Sequence, residues 1–486
     1  MKASRSVRVM GAVLSAGVAS GLAGCGDVTS GEEAMAPAES ALTSGYADPE
    51  ISAERSCKRD RDLGAEVLAP NDGWAAFGTG TTGGSLAAPD QIFVVRTRAE
   101  FIAALNNGVP SVTSPSTPST APKIIYVDGS IDFNVDDANQ PLSCVDYYRN
   151  DYTREAFLAT FDPEVWGRLA PSGPPEAARI ASQQAQQARV RMRIGSNTTI
   201  VGVGRKSGLR GVWLDIRGSS TVNATNIIVR NLTFQDTSDC FPAWSPNDTQ
   251  PDGTLGAWNA LYDFISLRNT DHVWIDHNTF EDVETADQDQ PNYFGVLFQT
   301  HDGAVDITNA SDLVTVSFNR FRNHAKVMLI GSSDGAVVDR GKLRTTVHHN
   351  LFDNIGERAP RVRFGQVHVY NNSYRIEQNP IHGYSWGVGI ESAIYAENNF
   401  FRTDDTITPD RLIARLNGTA IFESGTLVND EEDRQLTDVV AAWNAVNDPD
   451  LSEEVGWLPS LAVAVDPTGR VPSTVQSQAG PLNWRQ

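Results

Sequence analysis

The chain has 486 residues, of which 40% are hydrophobic and 20% charged, and its formal charge is −21 at pH 7. This acidity argues against general nucleic-acid binding, which needs a basic surface. It also repels a polyanionic ligand unless bound cations or clustered arginines reverse the field locally. The length allows two or three domains, although large β folds often form a single unit of this size.

The N-terminus predicts export. A basic start precedes a weakly apolar run that is too short to cross a bilayer. Leu22-Ala-Gly-Cys25 resembles the lipobox of bacterial lipoproteins, which predicts a signal peptide over residues 1–24 and lipidation of Cys25; cleavage near Ala23 is the alternative. Residues 25–60 are rich in small residues and acids, as expected of a flexible tether. We therefore expect an anchored cell-envelope protein or an extracellular one.

Three further cysteines follow, Cys57, Cys144 and Cys240. An exported protein can hold a disulfide, but three cysteines leave the pairing open. Their wide spacing lacks the short Cys-x-x-Cys form of a zinc site.

Short β-rich segments recur along the chain from Ile124 onward. They are Ile124–Asp128, Thr198–Val203, Ile227–Phe234, Val273–Phe280, Val314–Phe321, Thr345–Phe352, Val367–Tyr374 and Ile394–Phe400. The later ones end in an aromatic residue, and aligning positions 280, 321, 352, 374 and 400 gives steps of 41, 31, 22 and 26 residues. A repeat in this range predicts a solenoid, here an all-β parallel β-helix over residues 61–486.

The same alignment places four asparagines in register, namely Asn278, Asn319, Asn350 and Asn372. In coils stacked about 4.8 Å apart, their side chains would form a hydrogen-bonded ladder and satisfy buried polar groups. These asparagines are therefore predicted to be structural and not catalytic.

Helical patterns interrupt the repeat. Arg98–Leu105 and Arg154–Phe161 are short predicted helices, and residues 175–193 consist mainly of good helix formers. We interpret residues 146–193 as a helical insertion covering the solenoid, and expect a further helix over Leu436–Val446 in a tail that packs along it.

Three acids, Asp263, Asp302 and Asp306, are predicted to converge on one face of neighbouring coils. Crowded carboxylates raise each other's pKa, and a hard cation removes that cost. Calcium prefers six to eight oxygen ligands, waters included. Spacing alone is a moderate signal, because Asp-Gly is a common turn.

Three arginines, Arg358, Arg361 and Arg363, surround Pro360. Residues at i and i+2 of a strand share a face, so Arg361 and Arg363 are predicted to lie side by side. Arg358 lies on the bend before the proline and could reach the same space.

Several dense motifs occur in an order that resembles the pectate lyases, polysaccharide lyase family 1 of the pectate lyase/pectin lyase superfamily, and especially the secreted bacterial type. They are Asn71-Asp-Gly-Trp74, Val273-Trp-Ile-Asp-His277, His301-Asp-Gly with Asp306, Asn323-His-Ala-Lys-Val327, Leu329-Ile-Gly-Ser-Ser-Asp334, Val347-His-His-Asn350, Arg358-Ala-Pro-Arg-Val-Arg-Phe-Gly365 and Glu423-Ser-Gly-Thr426. The resemblance implies a right-handed parallel β-helix. It also implies a monomer that cleaves de-esterified homogalacturonan (pectate) by calcium-dependent β-elimination, giving 4,5-unsaturated oligogalacturonates.

The matching motifs also imply roles for individual residues of this chain. The resemblance implies primary Ca²⁺ ligands at Asp263, Asp302 and Asp306, an additional calcium contact at Asp252, substrate-carboxylate binding by Lys326 and Arg363, and a catalytic base at Arg358. A guanidinium normally stays protonated. A base role therefore requires the pKa of Arg358 to be lowered by Ca²⁺, Lys326 and Arg363. The alternative is that Arg358 only binds a carboxylate. The resemblance also predicts a cis peptide before Pro360.

Other functions are weighed against this one. Pectin lyase, acting on methylated pectin without calcium, would be expected to lack the three aspartates, and a glycoside hydrolase needs a close acid pair. A non-catalytic carbohydrate-binding solenoid is possible on fold alone.

Asp276, His277, His348 and His349 suggest a triad or zinc site, but stacked structural packing is preferred. Endo or exo mode, chain length, the number of calcium ions and the membrane side stay open.

Overall fold

The computed structural model describes residues 62–250, 253–377, 379–429 and 435–484. The predicted signal peptide, the tether, Cys25, Cys57 and Asp252 lie outside the described residues. Three long parallel sheets of ten, nine and eight strands form the body of the molecule, here called sheets A, B and C. Each coil contributes a strand to these sheets in turn, and the chain forms the predicted right-handed parallel β-helix.

The strands pair in parallel with their counterparts on adjacent coils. Sheet A consists of Ile92–Val95, Lys123–Val127, Thr198–Gly202, Ala224–Arg230, Thr270–Asp276, Asp312–Ser317, Thr345–His348, Gln366–Tyr370, Ala393–Glu397 and Ile421–Ser424. Sheet B consists of Ser130–Asp132, Gly208–Arg210, Thr233–Gln235, Thr279–Glu281, Arg320–Arg322, Leu351–Asp353, Ser373–Ile376, Phe400–Thr403 and Leu427–Val428. Sheet C consists of Arg191–Ile194, Trp213–Arg217, Ile265–Arg268, Val305–Thr308, Leu329–Ile330, Arg361–Val362, Trp386–Gly389 and Ile413–Leu416. Two antiparallel pairs lie outside these sheets, Ala243–Thr249 with Leu255–Asn259 and Asn292–Tyr293 with Val296–Leu297.

Six α-helices lie within the described part of the chain. They are α1 (Arg98–Leu105), α2 (Arg154–Phe161), α3 (Pro163–Trp166), α4 (Pro174–Val190), α5 (Val439–Asn444) and α6 (Val471–Gln478). Helices α1 and α2 have the predicted bounds. The insertion ends earlier than predicted, because sheet C begins at Arg191 directly after α4. None of the helices among the described residues has the length and apolarity needed to cross a membrane.

Every predicted segment from Ile227–Phe234 onward spans a corner between sheets A and B, not a single strand. At these corners one residue adopts a left-handed conformation, for example His277 at φ 52° and His349 at φ 53°. From the corner at His277 onward the next residue is a ladder asparagine, which takes the hydrogen bonds that the broken strand leaves open.

The predicted asparagine ladder is confirmed and is longer than expected. The Nδ2 of Asn278 donates to Oδ1 of Asn319 at 3.0 Å, and the contacts continue through Asn350 and Asn372 to Asn399 at 3.1, 3.0 and 3.1 Å. All five side chains are fully buried. The ladder therefore satisfies amide groups that water cannot reach.

An aromatic column runs beside the ladder and corrects one register. The ring of Tyr374 stacks on Phe401 at 4.1 Å, so Phe401, not Phe400, is the counterpart of Phe352. The spacing from the ladder asparagine gives the same register, because Phe401 lies two residues after Asn399, just as Phe352 lies two residues after Asn350. A slip of one residue moves a strand side chain to the opposite face.

A disulfide joins Cys144 to Cys240. It ties the segment before α2 to the loop after Asp239, which resolves the pairing among the described cysteines. The insertion packs its own aromatic cluster, including Phe157, Phe161, Trp244 and Trp258, outside the solenoid core.

Candidate active site

The outer face of sheet C carries the candidate site. Bridges pair Gly303 with Lys326 and Lys326 with Glu357, so Asp302, Lys326 and Arg358 follow one another on three successive coils. The Phe264 N–H donates to the Gly303 carbonyl at 3.1 Å, which adds Asp263 one coil earlier. Parallel stacking therefore brings together residues that are far apart in sequence.

The acidic cluster is partly buried and crowded. Asp263 is 2% exposed and accepts hydrogen bonds from Gly303 N at 2.9 Å and from the Ser266 hydroxyl. A Cβ at Gly303 would lie 2.3 Å from Asp306 Oδ1 and 3.0 Å from Asp263 Oδ1. Both carboxylates therefore lie directly against this glycine. Any side chain at position 303 would displace them.

Burial and mutual repulsion disfavour ionisation of these acids. Burial, followed by Asp306 and Asp302, raises the pKa of Asp263 well above its usual range. Burial and Asp302 likewise raise the pKa of Asp306 to about 7. Three hard carboxylate donors whose charges oppose one another fit a hard divalent cation such as Ca²⁺.

Lys326 and Arg363 are held by acids of the same face. Lys326 Nζ lies 3.6 Å from Asp302 Oδ1. Arg363 Nε donates to Asp334 Oδ1 at 2.6 Å, and its Nη1 donates to the Gly331 carbonyl at 2.8 Å. Both side chains are largely buried and oriented before any ligand binds.

Glycines on the adjacent coils leave room for the side chains of Arg361 and Arg363. A Cβ at Gly331 or Gly389 would come within 2.8 Å of the Arg363 side chain, and one at Gly387 within 3.0 Å of Arg361. Val362 points into the core, so Arg361 and Arg363 share the outer face as predicted.

Arg358 lies on the bend that precedes the arginine strand, at φ 64°, and the peptide between Ala359 and Pro360 is cis as predicted. Its Nε donates to Glu357 Oε1 at 2.9 Å. Burial opposes its charge, but Glu357, Tyr384 and the acidic cluster outweigh burial and raise its pKa above the usual value.

The protein's own charges therefore do not produce the predicted lowering of the Arg358 pKa. Lys326 and Arg363 are already paired with Asp302 and Asp334, and the acids around Arg358 are stronger influences on it. The sequence motifs predict no role for Glu357, although it directly precedes Arg358.

A second buried cluster lies behind the acids. The potential metal-ligand atoms of Asp282, Asp287 and His324 lie within 4.8 Å of one another. His324 Nδ1 is 2.7 Å from Asp282, and His301 Nδ1 is 3.0 Å from Asp287. Against the effect of burial, these acids raise the pKa of His301 to about 9 and also raise that of His324. These two histidines and two carboxylates form one hydrogen-bonded network, which sequence reasoning missed.

The triad or zinc interpretation of the histidine pairs is not supported. Asp276 is 2.7 Å from both Arg230 and His277, while His348 stacks on Tyr370 at 4.9 Å. These side chains pack at the corner of sheets A and B, away from sheet C. Their structural role is confirmed.

The predicted site residues within the described part of the chain therefore share one outer face, with acids at one end and Arg358 and Arg363 further along. This arrangement defines a parallel β-helix protein that can hold a cation beside an anionic ligand.

Comparison with known proteins identifies the family. A family model described as pectate lyase matches residues 168–449. The pectate lyase of Bacillus subtilis (strain 168) is 41% identical over 422 residues, which cover 86% of this chain and 94% of that protein. The chain belongs to the pectate lyase family.

Solved structures agree with this assignment. The thermostable pectate lyase PL 47 superposes with a TM-score of 0.81 at 44% identity, over 87% of this chain and all of that one (100%). A pectate lyase bound to hexasaccharide gives a TM-score of 0.78 at 41% identity, over 87% and 99% of the two chains.

Proposed function

We propose that this protein cleaves pectate by calcium-dependent β-elimination. The observation that supports this most strongly is the placement of Asp263 and Asp306, with their raised pKa values, on the same sheet face as Lys326, Arg358 and Arg363. Acids that resist ionisation next to buried cationic side chains make a site for a cation and a uronate carboxylate together.

In the proposed reaction each residue has one task. Lys326 and Arg363 bind substrate carboxylates, and Arg358 accepts the C5 proton of a galacturonate. The electrons of the C5–H bond form the C4–C5 double bond while the C4–O4 bond breaks with its electron pair on O4. O4 takes up a proton from water and leaves as a hydroxyl of the departing sugar chain. Lys326 next to the carboxylate stabilises the negative charge that develops as the proton leaves.

The proposed calcium ligands are Asp263, Asp302 and Asp306, with Asp252 as an additional contact. When bound, Ca²⁺ would neutralise these carboxylates and polarise the substrate carboxylate. Asp302 and Asp306 are among the groups that hold Arg358 protonated, whereas Glu357 keeps its contact with the guanidinium. A base role for Arg358 therefore also requires Glu357 to turn away from Nε.

The test is ultraviolet absorbance of polygalacturonate during incubation with the purified protein. We expect the absorbance of a conjugated C4–C5 double bond to rise with calcium and to stop with a chelator. Low- and high-methylated pectins are compared in the same assay. Chelator-resistant cleavage of methylated pectin would favour pectin lyase, and reducing ends without absorbance would exclude a lyase. Binding without either product would favour the carbohydrate-binding solenoid.

We also propose export and anchoring, based on the signal-like residues 1–24 and the lipobox-like Cys25. Residues 25–60 would serve as the tether and residues 61–486 as the catalytic domain. Palmitate labelling should mark the wild type and spare Cys25→Ser. Equal labelling of both proteins would remove the lipid anchor from the proposal.

A further inference from the structure

A cavity of about 340 Å³ opens on the outer face of sheet C beside the acidic cluster. Its lining includes Asp306 but extends away from Arg358 towards two arginines of earlier coils, Arg217 and Arg268. None of the roles described above uses these arginines.

The register explains why the two arginines stand together. Arg217, Arg268 and Thr308 are partners on adjacent parallel strands, as are Asp215, Ser266 and Asp306. Residues at i and i+2 share a face, so the Arg217–Arg268–Thr308 row lies next to the row that ends at Asp306. The arginines thus continue the cleft beyond the proposed calcium ligands.

Positive charge is in excess at this end of the cleft. Arg193 and Arg217 lie 3.6 and 3.3 Å from the buried Asp215, and Arg191 pairs with it more closely. Arg217 Nε is buried without a hydrogen bond, and Arg268 lies 5.8 Å from the Trp213 ring. Three guanidinium groups therefore surround one carboxylate, and Arg268 stands beside Arg217 on the adjacent strand, in a protein whose formal charge is −21.

We propose that Arg217 and Arg268 form an additional subsite that binds the carboxylate of a uronate residue distant from the reacting sugar. This inference rests on the proposed function, which supplies the class of substrate. Arginine suits this task because its planar fork matches a carboxylate. Thr308, Asn309 and Ser332 line the same cavity and offer neutral partners for sugar hydroxyls.

The subsite makes a prediction about chain length. A long oligogalacturonate reaches the two arginines, whereas a short one that fills the reacting positions does not. Arg268→Gln and Arg217→Gln should each lower kcat/KM for hexagalacturonate about tenfold, the usual effect of losing a charge-assisted hydrogen bond. The value for trigalacturonate and kcat at saturating hexagalacturonate should change less than about twofold.

The matched control is Arg96→Gln. Arg96 is an exposed arginine next to sheet A that pairs with Asp128 at 2.5 Å. It should leave kcat/KM unchanged for both lengths. Equal losses for the trimer and hexamer in the Arg268 and Arg217 variants would overturn the subsite, and so would no loss for either.

Binding measured without turnover separates this proposal from the proposed function. Calorimetry in the Arg358→Lys background with calcium should show about tenfold weaker hexagalacturonate binding when Arg268→Gln is added, with trigalacturonate unaffected. If the wild type fails to cleave pectate but this difference appears, the proposed function falls and the subsite stands. Unchanged hexamer binding would overturn the subsite whatever the activity.

Discussion

The same coils form both the corner between sheets A and B and the outer face of sheet C. The two regions differ in how their polar and charged side chains are paired. At the corner, each ladder asparagine is matched by the next, and aromatic rings stack in parallel beside it. On sheet C, like charges stand next to one another, as in the acidic cluster and the arginines around Asp215. The corner is therefore stable by itself, whereas the cleft retains charge that a ligand can neutralise.

The difference shows how a solenoid separates stability from chemistry. Repetition on one face satisfies buried groups coil after coil, which frees another face to vary. Substitutions at the corner should therefore change the free energy of unfolding, and substitutions on sheet C should change binding and turnover.

The largest expected effect is on the sheet C side. Arg358→Lys should lower turnover of polygalacturonate by about 10³-fold, within the range for removal of a general base, with substrate binding largely retained. Steady-state absorbance kinetics and calorimetry measure the two quantities. Arg322→Lys, an arginine of sheet B that lies 3.5 Å from Glu281, serves as the control. Near-normal turnover would remove Arg358 as the base.

At the corner, Asn319→Ala should lower the free energy of unfolding by roughly 3 kcal/mol, because it removes buried hydrogen bonds to the side-chain amides of Asn278 and Asn350. Turnover per folded molecule should not change. Denaturant unfolding is the measurement, with the exposed Asn223→Ala as control. Loss of turnover in fully folded protein would contradict the separation of the two faces.

The residues in these two predictions also show which features of the structure can be predicted from the sequence. The ladder follows from the spacing of Asn-x-aromatic segments, so its members from 278 to 372 were predictable. Phe401 was misplaced because Phe400 and Phe401 are adjacent and only the stacking selects between them. The common location of the six described candidate residues was predictable because their motifs are dense and ordered.

Other parts of the site depend on three-dimensional packing. The His301–His324 network and the Arg217–Arg268 row arise between coils separated by insertions of different length. The Cys144–Cys240 pair likewise depends on where the insertion folds back. Sequence distance carries no signal for such contacts.

Calcium removal should destabilise the cleft in a pH-dependent way. The pKa of Asp306 is raised to about 7, so its protonated form favours folding, and that contribution is lost as pH rises from about 4 through 7. With chelator, the wild type should therefore lose roughly 1–3 kcal/mol between pH 5 and pH 8. Calcium should restore the loss, and Asp306→Asn should reduce it. Thermal unfolding with and without chelator tests this, and equal stability at both pH values would contradict it.

The corner should show the opposite pH slope. Burial, then His348, lowers the pKa of His349 to about 3, so the unfolded chain binds a proton that the folded one does not. Stability should fall as pH drops below about 6.5, by roughly 1–2 kcal/mol between pH 6 and pH 4.5. His349→Asn, which suits φ 53°, should remove this part of the acid sensitivity. An unchanged acid slope in that variant would assign the sensitivity to other groups.

The most direct test of the proposed cleft, with a calcium site at one end and Arg358 further along, is a crystal structure of Arg358→Lys with calcium and hexagalacturonate. We expect calcium bound to Asp263, Asp302, Asp306 and a uronate carboxylate, with the C5 atom of one sugar facing residue 358. Calcium held instead by Asp282, Asp287 and His324, or sugar bound away from the sheet C face, would contradict it.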